Sequence, residues 1–386
     1  MSKTILTVFI GRFSPFHNGH AEVLKRARAT SDVVLMLVGS INRARNPKNP
    51  WTFEERAKMI YDWVNQPWVP QLRREAAVVV RGIRDFPYND QRWIANVHNV
   101  IQQTLDELKL KASDVEIRVT GADRDSSTFY LKYFPEFKLD LAEEDRAVSK
   151  FLTATSVREI FFGLEFNNNP ITPDHAELLL KSFCPLTTVD CLKEYEKQPH
   201  YEEMRDEHAF NVMYRIPFKP RKPVMDAFNN VIDHGLPYEV IFHTVDACVI
   251  QTGYILLVKR RSRPGKGLLA LPGGFLDPRE RLVDAAIREL REETKIKVPE
   301  AVLRGSLKYK DNFDYPDRSL RGRTITTAFL FHLPDFVVDG KINLPEVKGS
   351  DDAEKAMWVP LDTALNSPEN FFEDHFDIIE NFLGKL

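Results

Sequence analysis

The chain has 386 residues, with 53 Lys or Arg against 56 Asp or Glu, giving a formal net charge of −3. That length predicts two domains with substantial cores, and the near-balanced charge supplies no general basic field for nucleic acid, so a phosphate must be gripped locally. Cys184, Cys191 and Cys248 are odd in number and lack zinc-ligand spacing, which suits free thiols in a reducing, cytoplasmic compartment. No apolar run is long enough to span a membrane.

Short apolar, β-branched runs at Thr4 to Ile10, Val33 to Val38, Ala77 to Val80 and Val115 to Thr120 alternate with helical patterns. The helices are expected over His20 to Thr30, Phe53 to Trp63, Asp90 to Leu108 and Thr155 to Phe162. This rhythm predicts a parallel sheet with crossover helices, and ligands collect beyond the carboxyl ends of such strands. The loop Gly11-Arg12-Phe13-Ser14-Pro15-Phe16-His17-Asn18-Gly19-His20 falls there, directly before the first helix. A helix start presents unpaired N–H groups and a positive dipole end, so two histidines three residues apart at that point are placed to hold phosphate. Glycines at positions 11 and 19 let a nucleotide approach the backbone closely. Thr153-Ala154-Thr155-Ser156-Val157-Arg158 repeats the theme, with hydroxyls and a guanidinium at another predicted helix start.

Helical pattern returns from Pro173 to Phe183 and from Thr187 to Tyr214, and Ile216-Pro217-x-x-Pro220-x-x-Pro223 then reads as a stiff connector. The expected boundaries are therefore 1–185 for the first domain, 186–237 for a helical cap and connector, and 238–386 for the second. Val245 to Ile250 and Tyr254 to Arg260 predict a hairpin turning near Gly253. The basic residues Lys259, Arg260 and Arg261 at its end either meet a pyrophosphate or form a solvated loop. Next comes Leu271-Pro272-Gly273-Gly274-Phe275 and an amphipathic helix. Leu282, Val283, Ala286, Ile287 and Leu290 share one arc of it, while Glu289, Glu292 and Glu293 gather on the flank. Carboxylates that close raise one another's pKa unless a divalent cation neutralises them, and hard oxygen donors suit Mg²⁺, with Mn²⁺ as a substitute. Gly349-Ser350-Asp351-Asp352-Ala353-Glu354-Lys355-Ala356, ahead of a strand at Met357 to Val359, is a candidate loop for a further carboxylate.

The spacing from Gly274 through Glu280 to Arg288-Glu289-Leu290-Arg291-Glu292-Glu293 and Ile296 resembles the Nudix box, with Lys295 where that family has glycine. His17-x-Gly19-His20 after a strand resembles the nucleotidyltransferase superfamily. Asn46-Pro47 through Met59-Ile60, and Arg92-Trp93-Ile94-Ala95-x-Val97-His98, are similar to archaeal-type nicotinamide mononucleotide (NMN) adenylyltransferases. The order as a whole resembles bifunctional NMN adenylyltransferase/Nudix hydrolases. The resemblance implies an N-terminal Rossmann-like α/β domain plus a C-terminal Nudix α/β/α sandwich with a mixed sheet. It implies adenylyl transfer from ATP to NMN, giving NAD, with ADP-ribose hydrolysed in the second domain. His17, His20 and Arg158 would then hold the triphosphate, with Gly11, Arg12, Phe13, Thr153, Thr155, Trp93 under nicotinamide and Asp125 lining the cleft. In the Nudix domain Glu289 and Glu293 would bind the metal, with Glu292 or Glu280 completing or orienting the set and the Gly274 backbone beside them. Phe313 and Arg318 would hold adenosine and diphosphate. Arg288 is a structural partner of the carboxylates, and the general base is either Glu292 or a residue of the 351–354 loop. No nucleic-acid or membrane partner is expected, and homo-oligomers are compatible. The rival reading is another nucleotidyltransferase fused to a Nudix nucleotide sensor.

Overall fold

A computed structural model describes residues 3–66, 76–122, 133–142, 153–163, 165–166, 169–222, 224–225, 231–233, 235–236, 238–338 and 340–386. The chain divides into two compact units, Met1–Asp206 and Glu207–Leu386. The division falls inside a helix, Pro199–Arg215, so the segment expected as cap and connector is shared between the units. Among the described residues no helix is long and apolar enough to cross a membrane.

The first unit is built on β1 (Thr4–Gly11), β2 (Val33–Val38), β3 (Ala77–Gly82), β4 (Val115–Ala122) and β5 (Lys138–Ala142), ordered β3-β2-β1-β4-β5 and parallel throughout. Side chains alternate across a strand, so Leu6, Val8 and Ile10 of β1 face one core while Phe9 faces the other. The first core is closed by Val97, Val100, Ile101 and Leu105 of α3 (Asp90–Glu107). The second is closed by α1 (Asn18–Thr30) and α2 (Phe53–Val64), then by α4 (Ala154–Arg158), α5 (Pro173–Phe183) and α6 (Leu186–Glu196). The strand order reverses between β1 and β4, and a doubly wound sheet opens its ligand crevice at that switch point. The loop after β1 therefore lies at the crevice.

Three local expectations need correction. The helix expected over Thr155 to Phe162 is α4 followed by a π-turn, Glu159–Gly163. The helix expected over Thr187 to Tyr214 is two helices, because Pro199 lacks the N–H a continuous helix needs and instead begins the second one. Strand β5 was not expected at all.

The second unit carries a mixed sheet. Its central strand, β6 (Phe242–Gln251), pairs antiparallel with β7 (Tyr254–Arg260) and parallel with β11 (Thr324–His332). Around them lie β8 (Leu269–Ala270), β9 (Gly273–Phe275), β10 (Leu307–Phe313) and β12 (Ala353–Pro360). The β6–β7 turn has both central residues in the left-handed region, Thr252 at φ 46 and Gly253 at φ 78, the arrangement that matches strand twist in a two-residue hairpin. Helix α8 (Leu282–Thr294) buries Ala285, Ala286, Ile287 and Leu290 against the sheet. Because β12 begins at Ala353, the four residues from there to Ala356 are strand, and only Gly349 to Asp352 remain of the expected loop.

Candidate functional site

In the first unit the β1–α1 loop folds onto itself. His17 caps α1, its Nδ1 accepting from Gly19 N–H at 3.1 Å, while His20 Nδ1 accepts from His17 N–H at 3.3 Å. The two rings stack with centroids 3.7 Å apart. With both Nδ1 atoms accepting, a neutral ring carries its proton on Nε2, so each histidine is preset as an Nε2–H donor. Gly11 has no room for a side chain, since an added Cβ would lie 2.9 Å from the Phe13 ring, and Phe13 itself is buried at φ 50. Phe13 thus shapes the loop from beneath and packs edge-on to His20 at 4.9 Å.

Arg158 reaches this loop from α4, donating to the Ser14 carbonyl at 2.6 Å and to Thr155 Oγ1 at 3.1 Å. Burial, reinforced by repulsion from Arg12, pushes its pKa down to about 9. Arg56 of α2 behaves alike, lowered to about 10 by burial, with bonds to the carbonyls of Arg12 at 2.8 Å and Gly39 at 2.7 Å. The Arg12 guanidinium thus repels those of both Arg56 and Arg158. Such a cluster is stabilised by an anion. Thr153 spends one acceptor site on its helix, taking Ser156 N–H at 3.0 Å. Trp93, half-buried on α3, packs against Phe134 at 5.9 Å and Tyr133 at 6.5 Å. Asp125 lies outside the described residues.

In the second unit the charge is reversed. Glu293 is 6 % exposed, its carboxylate accepting from Gly273 N–H at 3.0 Å, and burial with the Glu289 charge beside it pushes its pKa up to about 8. Glu289 is also raised, first by burial, then by its acidic neighbours, despite the Arg288 guanidinium at 2.8 Å. Arg288 additionally bonds Glu280 at 3.0 Å and Glu292 at 3.0 Å, the structural partnership expected of it. Asp351 and Asp352 add to the negative field on Glu289 and Glu293. They are brought there because Lys348 N–H and Ser350 N–H bond the carbonyls of Thr294 and Glu293 at 2.7 and 3.0 Å. Gly273 is sterically required, since a Cβ there would meet the Val245 carbonyl at 2.2 Å, whereas one on Gly274 would meet only the movable end of Glu289, its carboxylate, at 2.6 Å.

A family model described as NUDIX domain matches residues 242–382, and one described as Cytidylyltransferase-like matches residues 8–133. A crystal structure of a bifunctional NMN adenylyltransferase/ADP ribose pyrophosphatase from Francisella tularensis, complexed with AMP and a manganese ion, aligns with a TM-score of 0.79 and 30 % identity, covering 99 % of both chains. The chain belongs to this bifunctional family. A nicotinamide/nicotinic acid mononucleotide adenylyltransferase from Acinetobacter baylyi is 28 % identical over 208 residues, 54 % of this chain and 95 % of the relative. An ADP-ribose pyrophosphatase from Methanocaldococcus jannaschii is 34 % identical over 149 residues, 38 % of this chain and 77 % of the relative.

Nudix hydrolases depend on a divalent metal, and the acidic pocket fits one chemically. It offers a buried carboxylate that is uncomfortable as an anion, a second one turn away on the same helix, and a glycine backbone pressed against that second carboxylate. Among the described residues no three His, Cys, Asp or Glu side chains already form a closed cage. An ion held by two carboxylates, backbone carbonyl, water and substrate phosphate needs no such cage.

Two expected substrate contacts are corrected. Phe313 is 1 % exposed and packs edge-on against Phe382 of α11 (His375–Leu383) at 5.7 Å, so it belongs to the core. Arg318 is locked in a two-pronged pair with Asp374, at 2.9 and 2.7 Å, with both side chains buried. Arg261 is exposed, just past β7; its guanidinium bonds the Ala353 carbonyl at the start of β12 at 3.1 Å, and its backbone N–H bonds the Asp352 carbonyl of the acidic loop at 2.9 Å. Of the basic run Lys259-Arg260-Arg261, Arg260 is the member brought near the carboxylates, and Arg321 is a further arginine that the sequence reading passed over. Arg260 lies 4.1 Å from the Phe372 ring and within the field of Glu293, and Arg321 sits 5.4 Å from the half-exposed ring of Phe275.

Proposed function

We propose that the first unit joins ATP and NMN to give NAD and pyrophosphate, and that the second hydrolyses ADP-ribose to AMP and ribose 5-phosphate with Mg²⁺. The observation that carries this is the pair of oppositely charged buried sites in a chain that follows a bifunctional relative over 99 % of its length.

In adenylyl transfer the NMN phosphate is already an anion, so alignment and charge neutralisation supply the rate and no strong base is needed. His17 and His20 donate from Nε2 to triphosphate oxygens, and Arg158, anchored on Ser14 and Thr155, takes up charge as pyrophosphate departs. Gly11 and Arg12 face the nucleotide, Thr153 and Thr155 set the second phosphate-binding helix start, and Trp93 and Asp125 serve the NMN side. In the second unit Glu289 and Glu293, with the Gly274 carbonyl, hold the ion, which when bound lowers the pKa of its water and neutralises the diphosphate. Glu280 and Glu292 orient that pair through Arg288. Arg260 and Arg321 meet the diphosphate, and Phe275 stacks on the base. Glu292, Asp351 and Asp352 compete as proton acceptor, and the free thiols of Cys184, Cys191 and Cys248 suit a reducing cytoplasm.

The test is product chromatography in two tubes, one with Mg²⁺, ATP and NMN, the other with Mg²⁺ and ADP-ribose. No NAD in the first, or no AMP in the second, removes the corresponding half.

A further inference from the structure

The turn from Leu271 to Gly274, which carries the backbone beside Glu289 and Glu293, is seated by a residue 104 positions further along the chain. The chain leaves β8 after Ala270 and enters β9 only at Gly273, so the buried N–H of Leu271 falls between two strands and has no ladder partner. A buried N–H must find its acceptor elsewhere. His375, the first residue of α11 and 6 % exposed, supplies it, its Nδ1 taking the Leu271 N–H at 3.0 Å. Burial pushes the His375 pKa down, so the ring is neutral and, with Nδ1 accepting, its proton sits on Nε2. Asp246 Oδ1 lies 3.9 Å from the same Nδ1, beyond hydrogen-bond reach, and the other oxygen of that carboxylate takes the Thr326 hydroxyl at 2.5 Å. The start of α11 is itself held. Phe372 N–H bonds the Leu269 carbonyl at 2.8 Å, and Asp374, next to His375, is gripped by both prongs of Arg318. Across the turn, Ala247 N–H bonds the Pro272 carbonyl at 2.8 Å and Gly273 N–H bonds Glu293 at 3.0 Å.

We propose that His375 is a positioning residue for the metal site of the second unit, acting through the Leu271 N–H and the glycine turn on Glu293 and the Gly274 carbonyl. The inference rests on the reading of that site as one that binds a divalent ion for ADP-ribose hydrolysis. Leucine would serve if the position only needed filling, whereas a buried imidazole costs desolvation that its hydrogen bond offsets. That bond holds Leu271 at one height, so Gly273 directs its N–H at Glu293 before any ion arrives. Without the acceptor the turn must shift to bring the Leu271 N–H to water, and Gly273 and Gly274 move with it relative to both carboxylates. Groups that orient metal ligands from behind are commonly worth about 10- to 100-fold in metal affinity.

The experiment is Mn²⁺ binding to the full chain without substrate, read from the electron paramagnetic resonance signal of the free ion, with Glu293→Gln as the baseline. His375→Asn places an amide oxygen where Nδ1 stands, and His375→Leu fills the space without an acceptor. The Asn variant is expected to bind Mn²⁺ within about twofold of the parent and the Leu variant about tenfold more weakly, both with NAD formation unchanged. In His375→Leu the Mn²⁺ concentration for half-maximal ADP-ribose cleavage should rise, while KM for ADP-ribose at saturating Mn²⁺ stays where it was. Parental Mn²⁺ affinity in a His375→Leu protein whose Tm has fallen would make the histidine a stability element only and overturn the proposal, as would equal weakening in both variants. If His375→Leu does not fold, the parent decides. Nitrogen NMR of its rings, with the His375 signals assigned by their loss in His375→Asn, should show the proton on Nε2 and a shift of Nδ1 when Mg²⁺ is added. A proton on Nδ1, or an Nδ1 signal unmoved by Mg²⁺, overturns the proposal. Mn²⁺ affinities in the expected order, in a chain that cleaves no ADP-ribose, fault the functional reading alone and leave the positioning role standing.

Discussion

The two candidate sites solve one problem, gripping phosphate, with burial of opposite charge. In the first unit Arg158 is buried and its pKa is pushed down to about 9; in the second Glu293 is buried and its pKa is pushed up to about 8. Each protein group is uncomfortable as it stands, because desolvation disfavours the charged form. The cationic site is relieved directly by the substrate's own anion, whereas the acidic site repels that anion and is relieved only when a cation comes between them. The difference teaches that a divalent ion is optional to the architecture of the first pocket and integral to that of the second.

The sharpest way to break the comparison is Glu293→Gln. It removes the buried charge that needs the ion, so ADP-ribose cleavage should fall by about 10³-fold, equivalent to roughly 4 kcal/mol of barrier. NAD formation should be unchanged, and loss of both activities in one chromatographic assay would mean the sites are not separate. The counterpart in the first unit is Arg158→Lys, which keeps a cation and loses the fork that reaches Ser14 and Thr155 together. Its kcat for NAD formation should drop by about 10²-fold with ADP-ribose cleavage intact. Equal losses in the two steady-state assays would show that Arg158 matters for folding and not for the pyrophosphate.

A third test uses pH. Glu293 has its folded pKa raised to about 8 from an ordinary 4.5, so its contribution is fully present below the unfolded value and is lost as pH rises through the folded one. Without metal, the second unit should therefore lose roughly 4 kcal/mol of stability between about pH 4.5 and 8. Mg²⁺ binds the deprotonated form, so its stabilising effect in thermal melts should be small at pH 5 and large at pH 8. A metal effect independent of pH would place the ion away from Glu293. In the first unit Mg²⁺ without nucleotide should leave the melting profile unmoved at either pH.

How legible the two units were follows the same physics. Residues that act locally could be read: the β1–α1 loop, the α8 carboxylates and the hairpin at Gly253 all declare themselves within a few residues of sequence. What escaped was set by contacts between distant residues or by weak patterns. Arg318 was taken for a ligand contact because its partner, Asp374, is 56 residues away and the last stretch of the chain had suggested no role. Strand β5 was missed because it is short, carries Lys138 and Asp140, and lies at the sheet edge, where charged side chains are tolerated. Arg260 was read only as one of a basic run, because basic residues at a strand end give no hint of which member turns inward.

The smallest predicted effect concerns the one departure from the box. Lys295 closes α8 with φ 48 and ψ 29, the left-handed conformation that a glycine takes without strain. Its side chain is exposed, so nothing in the packing repays the cost of that backbone. Lys295→Gly should therefore stabilise the second unit by about 1 kcal/mol, the left-handed penalty less the extra entropy of glycine in the unfolded chain. That corresponds to a rise of roughly 2–4 °C in Tm. Neither Glu289 nor Glu293 touches position 295, so kcat for ADP-ribose and the Mg²⁺ concentration for half-activity should not change. If the substitution altered metal affinity instead, the helix end would be coupled to the carboxylates, and the acidic site would extend to the turn that follows it.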